Sequence, residues 1–216
     1  MEKTAQELEL ILKYFGDFTA QQLKQFAALS ALYKDWNSKI NVISRKDIDS
    51  LYEKHVLHAL SIAAVFEFTS STEILDLGTG GGFPGIPLAI FFPEVKFHLA
   101  DSIGKKLKVV DAVAAAIDLK NVTTQHTRAE DIKNRKFDAV VSRAVAPLAD
   151  LWRWSKPLIR KKTAANSNII NGLICLKGGD LAQEIAESPC RPRITNIHDL
   201  FREDFFKDKY LLHVSA

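Results

Sequence analysis

Apolar positions in the first third of the chain recur at the spacing of a helix face. Thr19-x-x-Gln22 has the form of a capping box. Behind it, Leu23, Phe26, Leu29, Tyr33 and Trp36 fall on one side of a predicted helix. The stretch Trp36-Asn37-Ser38-Lys39-Ile40-Asn41 breaks that pattern, and a second helical run is expected over residues 48–66, with Leu51, Val56, Leu60 and Ala63 on or near one side. At Glu73 the period changes. Ile74-Leu75-Asp76-Leu77 reads as a short apolar strand that ends in glycines. Beyond it, strands at 95–100, 121–126, 137–142 and 173–177 alternate with helices at 104–117, 147–159 and 179–187, and two further strands are expected at 193–200 and 210–214. Residues 137–142 are nearly all apolar, as suits a parallel strand covered on both faces, and Pro147 is acceptable in a first helical turn. The alternation predicts an α/β fold with a seven-stranded, mostly parallel sheet. Residues 1–67 would form an N-terminal helical extension and residues 68–216 the α/β domain, the two making one structural unit.

Composition adds little beyond a globular balance, with 47% hydrophobic and 25% charged residues. The formal net charge is only +3, so its distribution says more than its size. From Leu151 to Gly179 there is no acid, while Arg153, Lys156, Arg160, Lys161, Lys162 and Lys177 are basic. Gathered on one face they would suit phosphates; spread over a helix and a loop they are an ordinary solvated surface. Charge alone leaves both readings open. Asn166-Ser167-Asn168 reads as part of a surface loop. Two cysteines, Cys175 and Cys190, fit a reducing compartment. The beginning of the chain has no apolar signal region, and no stretch approaches the roughly 18 apolar residues of a membrane span. A cytoplasmic protein without a membrane partner is expected.

The chemistry is concentrated where the first strand meets its glycines. A strand, a glycine loop and a helix make an anion and nucleotide site. A dinucleotide site wants G-x-G-x-x-G directly after the strand. Counted from Gly78 the sixth position is Phe83; counted from Gly80 the pattern reaches Gly85, but it starts two residues late and places Pro84 in the turn. The run Asp76-Leu77-Gly78-Thr79-Gly80-Gly81-Gly82 instead resembles the signature of class I methyltransferases, whose fold is Rossmann-like with helices on both faces of the sheet and whose cofactor is S-adenosylmethionine. An acid at the strand end suits the ammonium side of that ligand, and the glycines let backbone lie against ribose and methionine. A second acid is wanted at the end of the next strand for the ribose hydroxyls, and Asp101 stands there. Arg128-Ala129-Glu130-Asp131 follows the third strand, where adenine is held in such folds, though a plain polar turn reads equally well. Arg143 closes the fourth strand, at the sheet edge where open α/β sheets place their ligands.

The longer run from Leu75 through Gly82-Phe83-Pro84-Gly85-Ile86-Pro87 to Ala89 resembles the bacterial small-subunit rRNA methyltransferase G family, also called the glucose-inhibited division protein B family. Trp36-Asn37-x-Lys39-x-Asn41, Ile43-Ser44-Arg45-Lys46-Asp47, His55-x-x-His58-Ala59-Leu60, Asp101-Ser102-x-x-Lys105-Lys106, Ser142-Arg143-Ala144 and Leu176-Lys177-Gly178-Gly179 agree in order and spacing. The tail from Ser188 agrees least, and residues 160–168 are longer and more polar than the family leads one to expect. The resemblance implies methylation of N7 of a guanosine in 16S rRNA near the decoding centre. The expected partner is 16S rRNA or the 30S ribosomal subunit, and a monomer is expected. It implies cofactor contacts at Gly78, Phe83, Ala129, Glu130 and Arg143. With Asp76, Gly80, Gly82 and Asp101 these make the candidate cofactor set.

Guanine N7 carries a lone pair and no proton, so its attack on a sulfonium methyl needs no general base. This fits the lack of a convincing catalytic dyad, and no residue is assigned a catalytic role. Arg143 could donate to guanine O6 or hold the cofactor carboxylate. His55 and His58 share a helix face, but no third ligand stands at a telling spacing for a metal; one is expected to pack against the domain and the other to face the cofactor or RNA. Trp152, Trp154 and Phe83 are candidate stacking partners for a base, buried aromatics being the commoner outcome. The competing readings are a methyltransferase of the same fold acting on a small molecule or protein, and a non-enzymatic module holding a nucleotide.

Overall fold

The computed structural model describes residues 2–143, 145–161 and 170–216. Ala144, Lys162 and the Asn166-Ser167-Asn168 loop lie outside the described residues. Helix α1 spans Glu2–Leu12 and α2 spans Ala20–Lys39. The capping box at the start of α2 forms as expected: Gln22 N–H donates to Thr19 Oγ1 at 3.2 Å and Thr19 N–H to Gln22 Oε1 at 2.9 Å. The Gln22 amide also donates to the carbonyls of Ile90 and Phe91, so the cap fastens α2 to the end of the helix after the glycine loop. Phe26, Leu29 and Tyr33 on the predicted face are fully buried. Each such side chain contributes about 1.5–3 kcal/mol relative to exposure, which holds α2 against the α/β body.

Residues 48–66 do not form one α-helix. A 3₁₀ turn (Ile48–Ser50) leads into a π-helical turn (Tyr52–Leu57), and only then does α3 begin (His58–Val65). Burial explains the departure. Leu51, Tyr52, Val56, Leu57, Ala59, Leu60 and Ile62 are all buried, far more of the circumference than one stripe. A widened turn rotates successive side chains between neighbours on several sides.

The seven strands are β1 (Glu73–Leu77), β2 (Lys96–Asp101), β3 (Val122–His126), β4 (Ala139–Arg143), β5 (Gly172–Gly178), β6 (Arg193–Asn196) and β7 (Lys209–Val214). Their order is β3-β2-β1-β4-β5-β7-β6. The pairs among β1 to β5 are parallel, whereas β7 runs antiparallel to both β5 and β6. Helices α4 (Gly85–Phe91), α5 (Gly104–Ala116), α6 (Leu148–Ser155), α7 (Ala182–Ala186) and α8 (Ile197–Leu200) fill the connections. The expected strand at 193–200 ends early, because the Asn196 side chain accepts from His198 N–H at 3.0 Å and caps α8.

Alternate residues of β1, β2, β4, β5 and β7 feed two cores. Ile74, Phe97, Leu99, Val141, Ile174 and Leu211 join the N-terminal helices, α4 and α5 on one face. Leu75, Leu77, Val140, Leu173, Cys175 and Leu212 pack with Leu148 and Leu151 of α6 on the other. The parallel register sets Leu77 beside Ala100, Asp101 beside His126 and Arg143 beside Leu176, so these residues share the carboxyl edge of the sheet. At the opposite edge Arg160 bridges Glu73 at 2.5 Å and Asp138 at 2.7 Å, tying the starts of β1 and β4 together.

Candidate functional site

The glycine loop is built almost entirely on its own backbone. Gly78, Gly80 and Gly82 have φ of 71°, 58° and 100°, a region closed to most side chains. The amides of Gly78 and Thr79 donate to Ala100 O, and those of Gly82 and Phe83 to Thr79 O. Gly80 N–H donates to Asp101 Oδ2 at 2.8 Å, and the other oxygen of Asp101 accepts from Ile103 N–H at 2.8 Å. These five amides are spent inside the protein and are not free for an anion.

Asp76 is wholly buried beneath the turn. Its Oδ2 accepts from Thr79 Oγ1 at 2.6 Å and from Gly85 N–H at 2.8 Å, while Oδ1 has no partner among the described residues. Loss of solvation pushes its carboxyl up to about 7, against the pull of those two donors and of Arg143. A cofactor cation brought close would favour the charged form.

A cavity of about 520 Å³ opens above β1, β2 and β3. Of the predicted residues it gathers Gly78, Asp101, Ala129 and Glu130, and it adds Ile103, Lys106, Val145 and Trp154, which sequence reasoning did not assign there. A Cβ placed on Gly80 would meet nothing within 4 Å, so the loop leaves open space at that position. The remaining predicted residues sit elsewhere. Asp76 lies under the loop, and a Cβ on Gly82 would point into the core at 2.7 Å from Ile86. Phe83 is also core: its ring lies 4.9 Å from Tyr33 and 5.2 Å from His55, with the Arg143 guanidinium 5.1 Å above it. That enclosure removes Phe83 as a platform for a base. It follows from the turn folding back on α2, where Tyr33 donates to Gly81 O at 2.7 Å.

Arg143 belongs to a second cavity, about 590 Å³, over the ends of β4 and β5. His55, His58, Lys54, Lys177 and Lys209 line it as well. Arg143 Nη2 lies 3.0 Å from His55 Nδ1, as donor to an unprotonated ring nitrogen. Burial first, and then the charge of Arg143, lowers His55 to about 3 and His58 well below the ordinary imidazole value. Burial lowers Arg143 itself to about 10, so it keeps its charge near neutral pH. Lys177 is ion-paired with Glu184 at 2.6 Å and also donates to Ala146 O, while Glu184 caps α6 by accepting from Leu148 N–H. The pocket can therefore hold an electron-rich, uncharged planar group beside a fixed cation, with imidazoles that stay neutral. Trp154 stands in the wall of the first cavity, whereas Trp152 lies at the opposite sheet edge. Among the described residues no group of three or more His, Cys, Asp or Glu is placed to hold a metal.

Residues 20–209 match the family model of rRNA small subunit methyltransferase G. The chain is 60% identical over 208 residues to the ribosomal RNA small subunit methyltransferase G of Phocaeicola vulgatus, covering 96% of this chain and 98% of that one. It is 58% identical over 206 residues to the enzyme of the same name from Bacteroides thetaiotaomicron, covering 95% and 98%. Among solved structures, a SAM dependent methyltransferase from Aquifex aeolicus superposes with a TM-score of 0.55 at 13% identity, over 80% of this chain and 98% of that one.

Proposed function

The chain belongs to the rRNA small subunit methyltransferase G family, and from that premise we propose that it transfers a methyl group from S-adenosylmethionine to N7 of a guanosine in 16S rRNA near the decoding centre. The observation that carries this reading is the pair of cavities at one sheet edge, one framed by the glycine loop and Asp101, the other by Arg143 and neutral histidines.

The first cavity is assigned to the cofactor. Gly78, Asp101, Ala129 and Glu130 would hold it, with Val145 and Trp154 as walls. Each Asp101 oxygen already accepts one amide and keeps a second lone pair for a ribose hydroxyl. Gly80 gives room beside the backbone, and Asp76 and Gly82 act from beneath by fixing the turn. The bound cofactor supplies a methyl group activated by its sulfonium.

The second cavity is assigned to the guanine. Arg143 would donate to O6, orient the ring and leave the N7 lone pair free. Phe83 supports the guanidinium from below rather than stacking on the base. With His55 and His58 neutral, nothing in the pocket need take a proton, and N7 has none to give. Catalysis then rests on proximity and orientation. Residues 1–67 supply His55, His58 and Lys54 to this pocket, so the extension is part of the working unit. We read that unit as a cytoplasmic monomer that acts on 16S rRNA within the 30S particle; among the described residues no helix is long and apolar enough to cross a membrane.

The test is transfer of labelled methyl into 30S subunits, 50S subunits and free 16S rRNA from cells lacking the modification. Label in 16S rRNA is expected, more in 30S subunits than in free RNA. Label in protein or small molecules alone would replace this reading with the other methyltransferase class.

A further inference from the structure

The basic, acid-free stretch is only partly used by the two cavities. Much of it lies at the amino edge of the sheet, where Phe137 bridges Ile159 just before β4 begins. Arg143 stands at the far end of β4, and five residues at about 3.3 Å each separate the two edges by roughly 15 Å. Two adjoining cavities of about 870 Å³ and 400 Å³ open at this amino edge and share Trp152 and Lys156. Lys136 and Lys161 line the larger, Arg191 and Arg193 the smaller, and neither has an Asp or Glu among its described lining residues. The Lys156 ammonium lies 5.8 Å from the centre of the Trp152 ring. Lys136, Lys156, Arg191 and Arg193 are exposed and form no ion pair among the described residues. Arg160 differs, since its charge is met by Glu73 and Asp138.

We propose that this surface is a second contact for the substrate RNA, gripping its phosphates outside the reaction site, with the half-buried Trp152 offering an edge for a base. The proposal rests on the reading of rRNA as substrate. Exposed Lys136, Lys156, Arg191 and Arg193 around a shared aromatic, with no Asp or Glu among the described lining residues, match a polyanion that carries bases. An acidic protein would match the charge but leave the aromatic unused. The contact raises affinity and does no chemistry.

The test uses the full chain with Lys156→Gln, Arg191→Gln and Arg193→Gln combined, beside a charge-retaining variant with Lys156→Arg, Arg191→Lys and Arg193→Lys. Binding to 16S rRNA is measured across a salt series, together with KM, kcat, cofactor affinity and Tm. Neutralising three phosphate contacts is expected to reduce the slope of log affinity against log salt by about 2. KM for RNA should rise on the order of tenfold near 0.1 M salt, with kcat and cofactor affinity within about twofold of the parent, and the charge-retaining variant should bind as the parent does. An unchanged slope and KM would overturn the proposal, as would equal loss in the charge-retaining variant. A parent that methylates no 16S rRNA would overturn the functional reading itself, a result distinct from a working parent whose variant binds RNA normally.

Discussion

The glycine loop and the β4–β5 pocket lie at the same sheet edge and are made in opposite ways. The loop is backbone: residues 76–85 are contiguous, its amides bond internally, and its one buried acid serves the turn. The pocket is side chains, with His55, Arg143, Lys177 and Lys209 drawn from across most of the chain. The contrast fits the proposed division of labour. Shape held by backbone suits a cofactor that is the same at every turnover, whereas charge held by side chains suits a base presented by a large RNA.

The division can be broken most sharply at the loop. Gly80→Val forces a β-branched residue to φ near 58° and fills the open space beside it. Cofactor affinity should fall about 100-fold or more by calorimetry, with the fold retained by circular dichroism. Gly82→Ala should do the reverse: its Cβ meets Ile86 and the Tyr33 hydroxyl, so the melting temperature drops while residual folded protein binds cofactor nearly as the parent does. Equal loss of binding in both variants would erase the distinction between ligand-facing and core-facing glycines.

On the pocket side, Arg143→Gln removes a charged donor contributing about 1.5–3 kcal/mol. A loss of about 10- to 100-fold in kcat on 30S subunits is expected, with cofactor affinity within about threefold. If cofactor binding fell in step with kcat, Arg143 would belong to the first cavity. Asp101→Asn should show a smaller effect of the other kind, about tenfold in cofactor affinity with little change in kcat at saturation.

A further effect is expected in the pH dependence of stability, and its two signs separate the regions. His55, lowered to about 3 in the fold, binds fewer protons than in the unfolded chain between pH 3 and about 6.5. Its contribution is complete above pH 6.5 and is lost as pH falls towards 3. Asp76, raised to about 7, binds more protons folded than unfolded, so its contribution is present at low pH and is lost as pH rises from about 4 through 7. His55→Gln should therefore flatten the decline in melting temperature below pH 6.5, and Asp76→Asn should remove a decline between pH 4 and 7. Parallel shifts in both variants would contradict the assigned environments.

The same contrast governs what the sequence discloses. Apolar runs announced the central strands β1, β4 and β5, and Asp76, the glycines and Asp101 announced the loop, because turn geometry and strand ends are local. Direction was not local. Nothing in the order of residues says that Gly82 and Phe83 turn towards Tyr33 while Gly78 lines the cavity and Gly80 borders open space. Val145 and Trp154 reach the first cavity only because α6 packs beside residues 129–131. Arg143 was legible as a strand-end residue, but its partner His55 precedes it by 88 positions and meets it only through α3 and the π-helical turn before it. The strand expected at 193–200 forms only over Arg193–Asn196, because a single side-chain cap at Asn196 outweighed a weak alternating pattern beyond it.

The central claim is that the second cavity presents guanine N7 to the cofactor side. Its most direct test is to incubate the enzyme and S-adenosylmethionine with 30S subunits lacking the modification, then cleave the RNA chemically at N7-methylguanosine and map the ends. One new cleavage site near the decoding centre, absent without enzyme and strongly reduced with Arg143→Gln, is the predicted result. Methyl incorporation into 16S rRNA with no cleavage there would place the methyl on another atom and contradict the assignment.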